Sequence, residues 1–341
     1  VLYPAAIVLA AARRPSRRAP EPARWPSVTA VVPAYREAAV IAGKVADLLA
    51  DGYPGELEVL VVADDDATAA AARATPARVL APGRRLGKAS AVNLGVAEAR
   101  GEVVVLSDAD ARLDPGSLRR LVRWFEDPAV TGVAGEKRVL GGGESLYWRF
   151  ESRLKRAEDR LGTTIGLAGE LGALRRERFR PLPPELAVDD LWLALDLLED
   201  GGRIVYEPGA VAREPPSATS GELWERRTRV VSGVIDVCVR RRALLAPRHG
   251  LVAAELWGHR LLRSTAGPLA HAALVGLAVV RAPRSRAARL VVALARRGRP
   301  GRRTAPERAL AEVAFLQVVA LGGLWRYARG DRPALWPKAE R

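Results

Sequence analysis

Apolar residues fall in short unbroken runs along the first two thirds of the chain. Val28–Val32, Leu57–Val62, Val103–Leu106 and Thr131–Ala134 are such runs, with a brief one at Arg78–Leu80. Runs of this length bounded by turn residues read as strands buried on both faces. Between them, Ala38–Ala50, residues 67–74, Lys88–Ala99 and Pro115–Phe125 carry apolar positions at helical spacing. Strand and helix in alternation predict a parallel sheet with helices on both faces. Further along, the pattern predicts a charged amphipathic helix over Tyr147–Leu161 and a helix opening at Asp189 and stopping at Gly201-Gly202. A strand over Arg203–Tyr206 and a helical run over Glu222–Ala246 follow.

Two of the strands end in acid. Asp64-Asp65-Asp66 follows Leu57–Val62, and Asp108 and Asp110 follow Val103–Leu106. Ligands of open α/β sheets bind outside the carboxyl ends of the strands. Two carboxylates at i and i+2 on the turn leaving a strand can share one hard divalent cation, as Mg²⁺ prefers oxygen ligands and substrate phosphates. Aspartate is also a good turn and helix-start residue, and spacing alone leaves both uses open. The same holds for Asp189 and Asp190, which can be helix caps. Gly87-Lys88 at a helix start can meet a phosphate or can be an ordinary surface lysine.

Charge adds a partner class. Lys and Arg number 54 against 39 Asp and Glu, for a net charge of +15. Nearly all of the basic residues are arginine; Lys44, Lys88, Lys137, Lys155 and Lys338 are the lysines. Such a balance suits an anionic membrane surface, a phosphorylated substrate or nucleic acid, and no nucleic-acid motif is recognisable. The Ala, Arg, Gly and Pro richness also fits a GC-rich codon bias. The single cysteine, Cys238, excludes an internal disulfide framework and a multi-cysteine zinc site. His249, His259 and His271 lack tight ligand spacing. Chemistry therefore falls to carboxylates and a borrowed metal.

Four apolar stretches raise a membrane question. Val1–Ala12 is apolar and is followed by Arg13, Arg14, Arg17 and Arg18. It is shorter than the roughly 20 residues a span needs; of a truncated span and a signal-like segment, the basic flank favours the remnant of an anchor, with the flank cytoplasmic. Arg17–Pro26 reads as a linker. Ser264–Val280 is an uncharged run of 17 residues, Val313–Trp325 one of 13, and Leu290–Ala295 is shorter still. Nine arginines in 281–303 favour the cytoplasmic side. With a cytoplasmic catalytic half, 255–280 is then re-entrant, interfacial or broken at Pro268. The Arg-rich run 226–248 suits anionic headgroups.

In order, the chain presents strand-Pro33-Ala34-Tyr35-Arg36-Glu37, strand-Asp64-Asp65-Asp66, Gly87-Lys88 with Asn93-Leu94-Gly95, and Asp108-Ala109-Asp110. Gly169-Glu170-Leu171-Gly172 and Val188-Asp189-Asp190 come next. Over about residues 27–250 this resembles the family 2 inverting glycosyltransferases, in the membrane-bound branch with cellulose, hyaluronan and poly-N-acetylglucosamine synthases. The resemblance implies an α/β, Rossmann-like GT-A fold with C-terminal membrane-associated helices. It implies an N-terminal apolar segment and linker (1–26) and a catalytic domain (27–215) made of a nucleotide-binding half (27–135) and an acceptor half (136–215). An amphipathic interfacial region (216–250) and a membrane-associated C-terminal part (251–341) complete it. It further implies a nucleotide-sugar donor, most often a UDP-sugar, a saccharide or lipid-linked acceptor, and Mg²⁺ or Mn²⁺. The cell membrane is the expected location, with the catalytic domain cytoplasmic.

Carried over by position, Pro33, Tyr35 and Glu37 line the nucleotide site. Asp64 meets the uracil or ribose, and Lys88 lies near the donor. Asp108 sits by the nucleotide or sugar, and Asp110 with Asp108 ligates the metal. Asp190 is the general base with Asp189 beside it. Gly169, Glu170 and Gly172 shape the acceptor pocket. Two positions depart from the pattern. Asp65 and Asp66 stand where Gly and Ser are usual. Arg226-Arg227-Thr228-Arg229-Val230 keeps the arginine of Gln-x-x-Arg-Trp, so Arg229 retains a bidentate partner for a diphosphate, but the aromatic platform is gone. That favours transfer of one or a few sugars. The alternatives are a sugar-phosphate nucleotidyltransferase and a degenerate or non-enzymatic basic protein of the membrane surface.

Overall fold

The computed structural model describes residues 2–140, 144–217, 219–281 and 305–331. Chain contacts divide it into two compact units. One holds the chain to Pro216 together with Ala243–Glu255; the other holds Ser217–Arg242 and Leu256–Arg332.

The first unit is built on one sheet. Its strands are β1 (Val28–Ala34), β2 (Leu57–Ala63), β3 (Arg78–Leu80), β4 (Val103–Leu106), β5 (Arg112–Leu113), β6 (Val130–Val139), β7 (Gly172–Arg175) and β8 (Arg203–Glu214). They lie in the order β3-β2-β1-β4-β7-β6-β8-β5. The first four are mutually parallel. Beyond β4 the sheet is mixed, which corrects the all-parallel expectation: β7 runs antiparallel to both β4 and β6, while β6 and β8 are parallel. β7 is four residues preceded by glycines and followed by arginines, so its strand character comes from partners on both edges rather than from its own pattern.

Helices α1 (Leu2–Ala12), α2 (Ile41–Leu49), α3 (Asp66–Arg73), α4 (Lys88–Glu98), α5 (Ser117–Val122), α6 (Glu144–Leu161), α7 (Asp189–Glu199) and α9 (Gly250–Glu255) belong to this unit. The β4 residues Val103, Val104 and Val105 are all buried, as the uninterrupted valine run predicts for a central strand. α4 lies close against β1: a Cβ at Gly95 would sit 2.4 Å from Val31 Cγ1. Only hydrogen fits there, which explains the glycine in Asn93-Leu94-Gly95. Ile7 and Ala11 of α1 bury against Leu154 and Ala157 of α6.

From β1 the chain winds outward to β2 and β3, then returns to place β4 on the other side of β1. The strand order reverses at this pair, so a crevice opens beyond their carboxyl ends.

The second unit contains α8 (Ser220–Arg240), a π-helical turn (Leu256–Leu261), α10 (Leu262–Ser264), α11 (Ala266–Arg281) and α12 (Ala305–Ala328). Gly322 and Gly323 of α12 bring that helix against Trp224, Thr228 and Val231 of α8. Arg326 closes the pair, donating to Glu225 at 2.5 Å. Among the described residues no helix is long and apolar enough to cross a membrane. The C-terminal part, expected to be membrane-associated, therefore presents no span among the described residues, and membrane association of its helices is not supported there. α11 has 16 residues, about 24 Å at 1.5 Å per residue, against a hydrocarbon core of about 30 Å. α12 carries Glu307, Arg308, Glu312 and Arg326. Past Arg281, the arginine-rich stretch to 303 and the short run Leu290–Ala295 lie outside the described residues.

Candidate active site

The crevice at β1 and β4 is a cleft. Pro33, Lys88, Ser107 and Asp108 line it from β1, α4 and the turn after β4, and Gly169, Gly172, Leu182, Asp189 and Asp190 line it from the segment 169–190. Seven residues expected from sequence are thus brought together: Pro33, Lys88, Asp108, Gly169, Gly172, Asp189 and Asp190.

At its centre Lys88 Nζ donates to Asp108 Oδ1 at 2.7 Å. Lys88 reaches this point because Asp64 shapes the turn before α4. The Asp64 carboxylate accepts from Leu86 N–H at 3.0 Å and Gly87 N–H at 2.8 Å. Gly87 has φ +81, which admits the turn into the helix without a side-chain clash. Burial works against the Lys88 charge, but Asp108, Asp189 and Glu170 outweigh it and raise the ammonium above its ordinary value. For Asp108 burial raises the carboxyl, Lys88 opposes this, and the negative charges of Glu170 and Asp110 add to the rise. On the turn after β4, Ala109 and Ala111 are buried while Asp108 and Asp110 are half-buried.

The segment 169–190 is fixed from α4. Asn93 Nδ2 donates to Leu182 O at 2.8 Å, and Leu182 N–H donates back to Asn93 Oδ1 at 2.7 Å. A Cβ on Gly169 would lie 3.4 Å from Lys88 Nζ and 3.9 Å from Asp108 Oδ2, so the glycine keeps space above the ion pair. Asp189 and Asp190 occupy the first turn of α7, where negative charge complements the helix dipole. Asp190 Oδ1 accepts from Leu191 N–H at 2.8 Å.

Other expected residues lie elsewhere. Tyr35 carries the Arg85 guanidinium 4.2 Å from its ring centroid. Glu37 is buried, and its N–H donates to Thr68 Oγ1. Asp65 is the N-cap of α3 and accepts from Thr68 N–H and Arg36 N–H, which gives it a backbone-fixing task. Arg229 is buried on α8, in the second unit.

Three residues that matter here went unnoticed in the sequence. Lys137 of β6 donates to Glu170 and, at 2.6 Å, to Glu214. It lies 4.6 Å from the Trp148 ring centroid. Asp108, Glu170 and Glu214 each bring a carboxylate oxygen within 4.8 Å of the others, so Lys137 sits inside an acidic cluster that reaches Asp108. The third is Lys44 of α2, 0% exposed, which donates to Ser107 Oγ at 2.8 Å and Ala111 O at 2.7 Å. Burial pushes it down to about 8, against the pull of Asp47 and Asp108. Its signal was in the pattern: Ile41, Lys44, Val45 and Leu48 share one helical face, and all four are buried.

Residues 29–181 match the family model described as Glycosyl transferase family 2. Over that stretch the chain is similar to the family 2 glycosyltransferases. The chain is 27% identical over 217 residues to an N-acetylglucosaminyltransferase of Mesorhizobium japonicum, covering 55% of this chain and 51% of the relative. It is 26% identical over 165 residues to a poly-beta-1,6-N-acetyl-D-glucosamine synthase of Staphylococcus aureus, covering 45% and 40%. The chain spans about half the length of the curated relatives it matches. A mannosyltransferase of Pyrobaculum calidifontis, solved in complex with GDP-Man and Mn²⁺, superposes with a TM-score of 0.78 at 25% identity. That match covers 96% of this chain and 94% of the other. The mixed sheet thus has the GT-A-like, Rossmann-type arrangement.

Proposed function

We propose that the protein is an inverting glycosyltransferase that moves a sugar from a nucleotide-diphospho-sugar to a saccharide or lipid-linked acceptor, using a divalent cation. The observation that carries this reading is the meeting of Lys88, Asp108, Asp189 and Asp190 in one cleft at the β1–β4 crevice. Its donor side comes from strand ends within the stretch similar to the family 2 glycosyltransferases, and the segment 169–190 brings a carboxylate pair on a helix start.

The donor set fits a hard divalent cation. Asp108 is held under the combined negative charge of Glu170 and Asp110, with Lys88 opposing. Carboxylate oxygens crowded in this way suit Mg²⁺ or Mn²⁺. Asp108 and Asp110 would hold the ion. Glu170 and Glu214 share Lys137 and so back the site as an ion cluster. When bound, the cation supplies Lewis-acid neutralisation of the departing diphosphate. The Lys88 ammonium adds fixed positive charge to the same cleft. Inversion requires the acceptor hydroxyl to attack the face opposite the diphosphate. Asp190 takes its proton, since a carboxylate at a helix N-terminus stays ionised at neutral pH. Asp189 strengthens the negative field that keeps Lys88 charged.

The N-acetylglucosamine named in the relatives favours a UDP-sugar donor, and the structural neighbour makes GDP-mannose the second probe. A cytoplasmic membrane face is the proposed place of action. α11 exposes Leu269, Leu274, Val275, Leu277, Val279 and Val280, and the chain carries a net charge of +15. An apolar helix face on a basic protein suits the interface of an anionic bilayer.

Nucleoside diphosphate release tests the reaction. With Mn²⁺ and acceptor present, the wild type releases it, and Asp110→Asn and Asp190→Asn do not. Pyrophosphate as the product, or full turnover in both variants, overturns the reading.

A further inference from the structure

α2 presents a polar stripe to the segment that follows β4. Lys44 donates to Ser107 Oγ and to Ala111 O. One turn on, Asp47 Oδ2 accepts from Leu113 N–H at 2.8 Å. Just past the helix, the Asp51 carboxylate accepts from Leu118 N–H at 3.2 Å. Three side chains at helical spacing therefore bind one continuous segment, residues 107–118. Its first turn carries Asp108 and Asp110.

We propose that Lys44 is a positioning residue, clamping both ends of the Ser107–Ala111 turn so that Asp108 and Asp110 are held ready for the cation and diphosphate. This rests on the proposed function of the cleft. Ala111 is 0% exposed, and a buried carbonyl needs a donor. Ser107 Oγ meanwhile donates to Glu170 O at 2.7 Å, so the Lys44 contact continues to the segment that carries Gly169 and Gly172. Asp47, Asp108, Asp110 and Arg112 are the charged groups around the ammonium. A lysine suits the task, since its compact ammonium enters a slot that a planar guanidinium does not fill. The chain keeps lysine here although its basic residues are overwhelmingly arginine.

The test compares wild type, Lys44→Met and Ser107→Ala. Thermal melting reports folding. Loss of the free Mn²⁺ electron-spin signal, with UDP or GDP present, reports cation binding; kinetics give donor and acceptor KM. Met fills the Lys44 volume and removes a buried charge, which offsets the donor lost to the Ala111 carbonyl, so its melting temperature is expected to stay near that of the wild type. Mn²⁺ affinity and donor KM are expected to worsen about tenfold or more, the usual effect of losing a partner that orients metal ligands, while acceptor KM stays. A Lys44→Met protein that binds Mn²⁺ and nucleotide as wild type does overturns the assignment. Should Lys44→Met not fold, Ser107→Ala decides: it unhooks one end of the clamp, and unchanged Mn²⁺ affinity there also overturns it. A wild type with no Mn²⁺-dependent nucleotide binding overturns the function of the cleft itself.

Discussion

Asp159 is a buried carboxylate with no part in the proposed chemistry, so its charge is a cost to folding that substitution should relieve. It lies on α6, 8% exposed, and its Oδ1 accepts from Tyr206 N–H at 3.4 Å. Burial raises its pKa from 3.8 to about 6; Arg17 and Arg203 pull back and Glu207 adds to the rise. Between these two values the folded chain binds the proton more tightly than the unfolded chain. Stability is therefore lost as pH rises through about 4 to 6 and stays lost above. The shift corresponds to about 3 kcal/mol at pH 7.5 and about 1 kcal/mol at pH 4.5, at 1.36 kcal/mol per pKa unit. Asp159→Asn keeps a carbonyl oxygen for Tyr206 N–H and removes the charge. Urea unfolding of both proteins at the two pH values, followed by tryptophan fluorescence, should show the variant more stable by these amounts. Equal stability at pH 7.5, or a difference that does not shrink at pH 4.5, refutes the reasoning.

Lys88→Met should lower kcat/KM by about 100-fold or more, because a preorganised charge facing a leaving group is lost; steady-state kinetics check it. Gly95→Ala places a methyl group 2.4 Å from Val31 Cγ1 and should destabilise by about 1–3 kcal/mol, the usual cost of overpacking, read as a lower urea midpoint. EDTA should abolish nucleoside diphosphate release, and added Mn²⁺ or Mg²⁺ should restore it. Replacing Leu274 and Val280 by Asp should weaken sedimentation with vesicles rich in anionic lipid and leave turnover of a soluble acceptor intact; unchanged sedimentation removes α11 from the membrane reading.

The strands and helices around the cleft were legible because their burial is two-sided and their boundaries are marked by Asp, Gly and Pro. Lys88 and Asp108 showed themselves as a glycine-lysine helix start and an acidic strand end. β7 did not, since a short segment between glycines and arginines becomes a strand only where β4 and β6 flank it. Lys137 and Glu214 were equally hidden. They lie 77 residues apart in sequence and meet because β6 and β8 pair. Asp65 was legible as a helix-start acid and caps α3, whereas the turn that Asp64 holds was not legible. Their carboxylates bind backbone N–H groups of neighbouring turns, and a linear pattern does not display which turn will come near. Lys44 stood in plain view as the charged member of an apolar stripe.

The lining of the cleft is encoded in two ways. Pro33, Lys88, Ser107 and Asp108 come from three separate crossings of the sheet, whereas Gly169, Gly172, Leu182, Asp189 and Asp190 come from a single unbroken stretch. That stretch joins the sheet through β7 and is tied to α4 by the Asn93–Leu182 pair. Five lining residues therefore share one run of chain, so a shift of that run moves them together, whereas Pro33, Lys88 and Asp108 are each held by a different element.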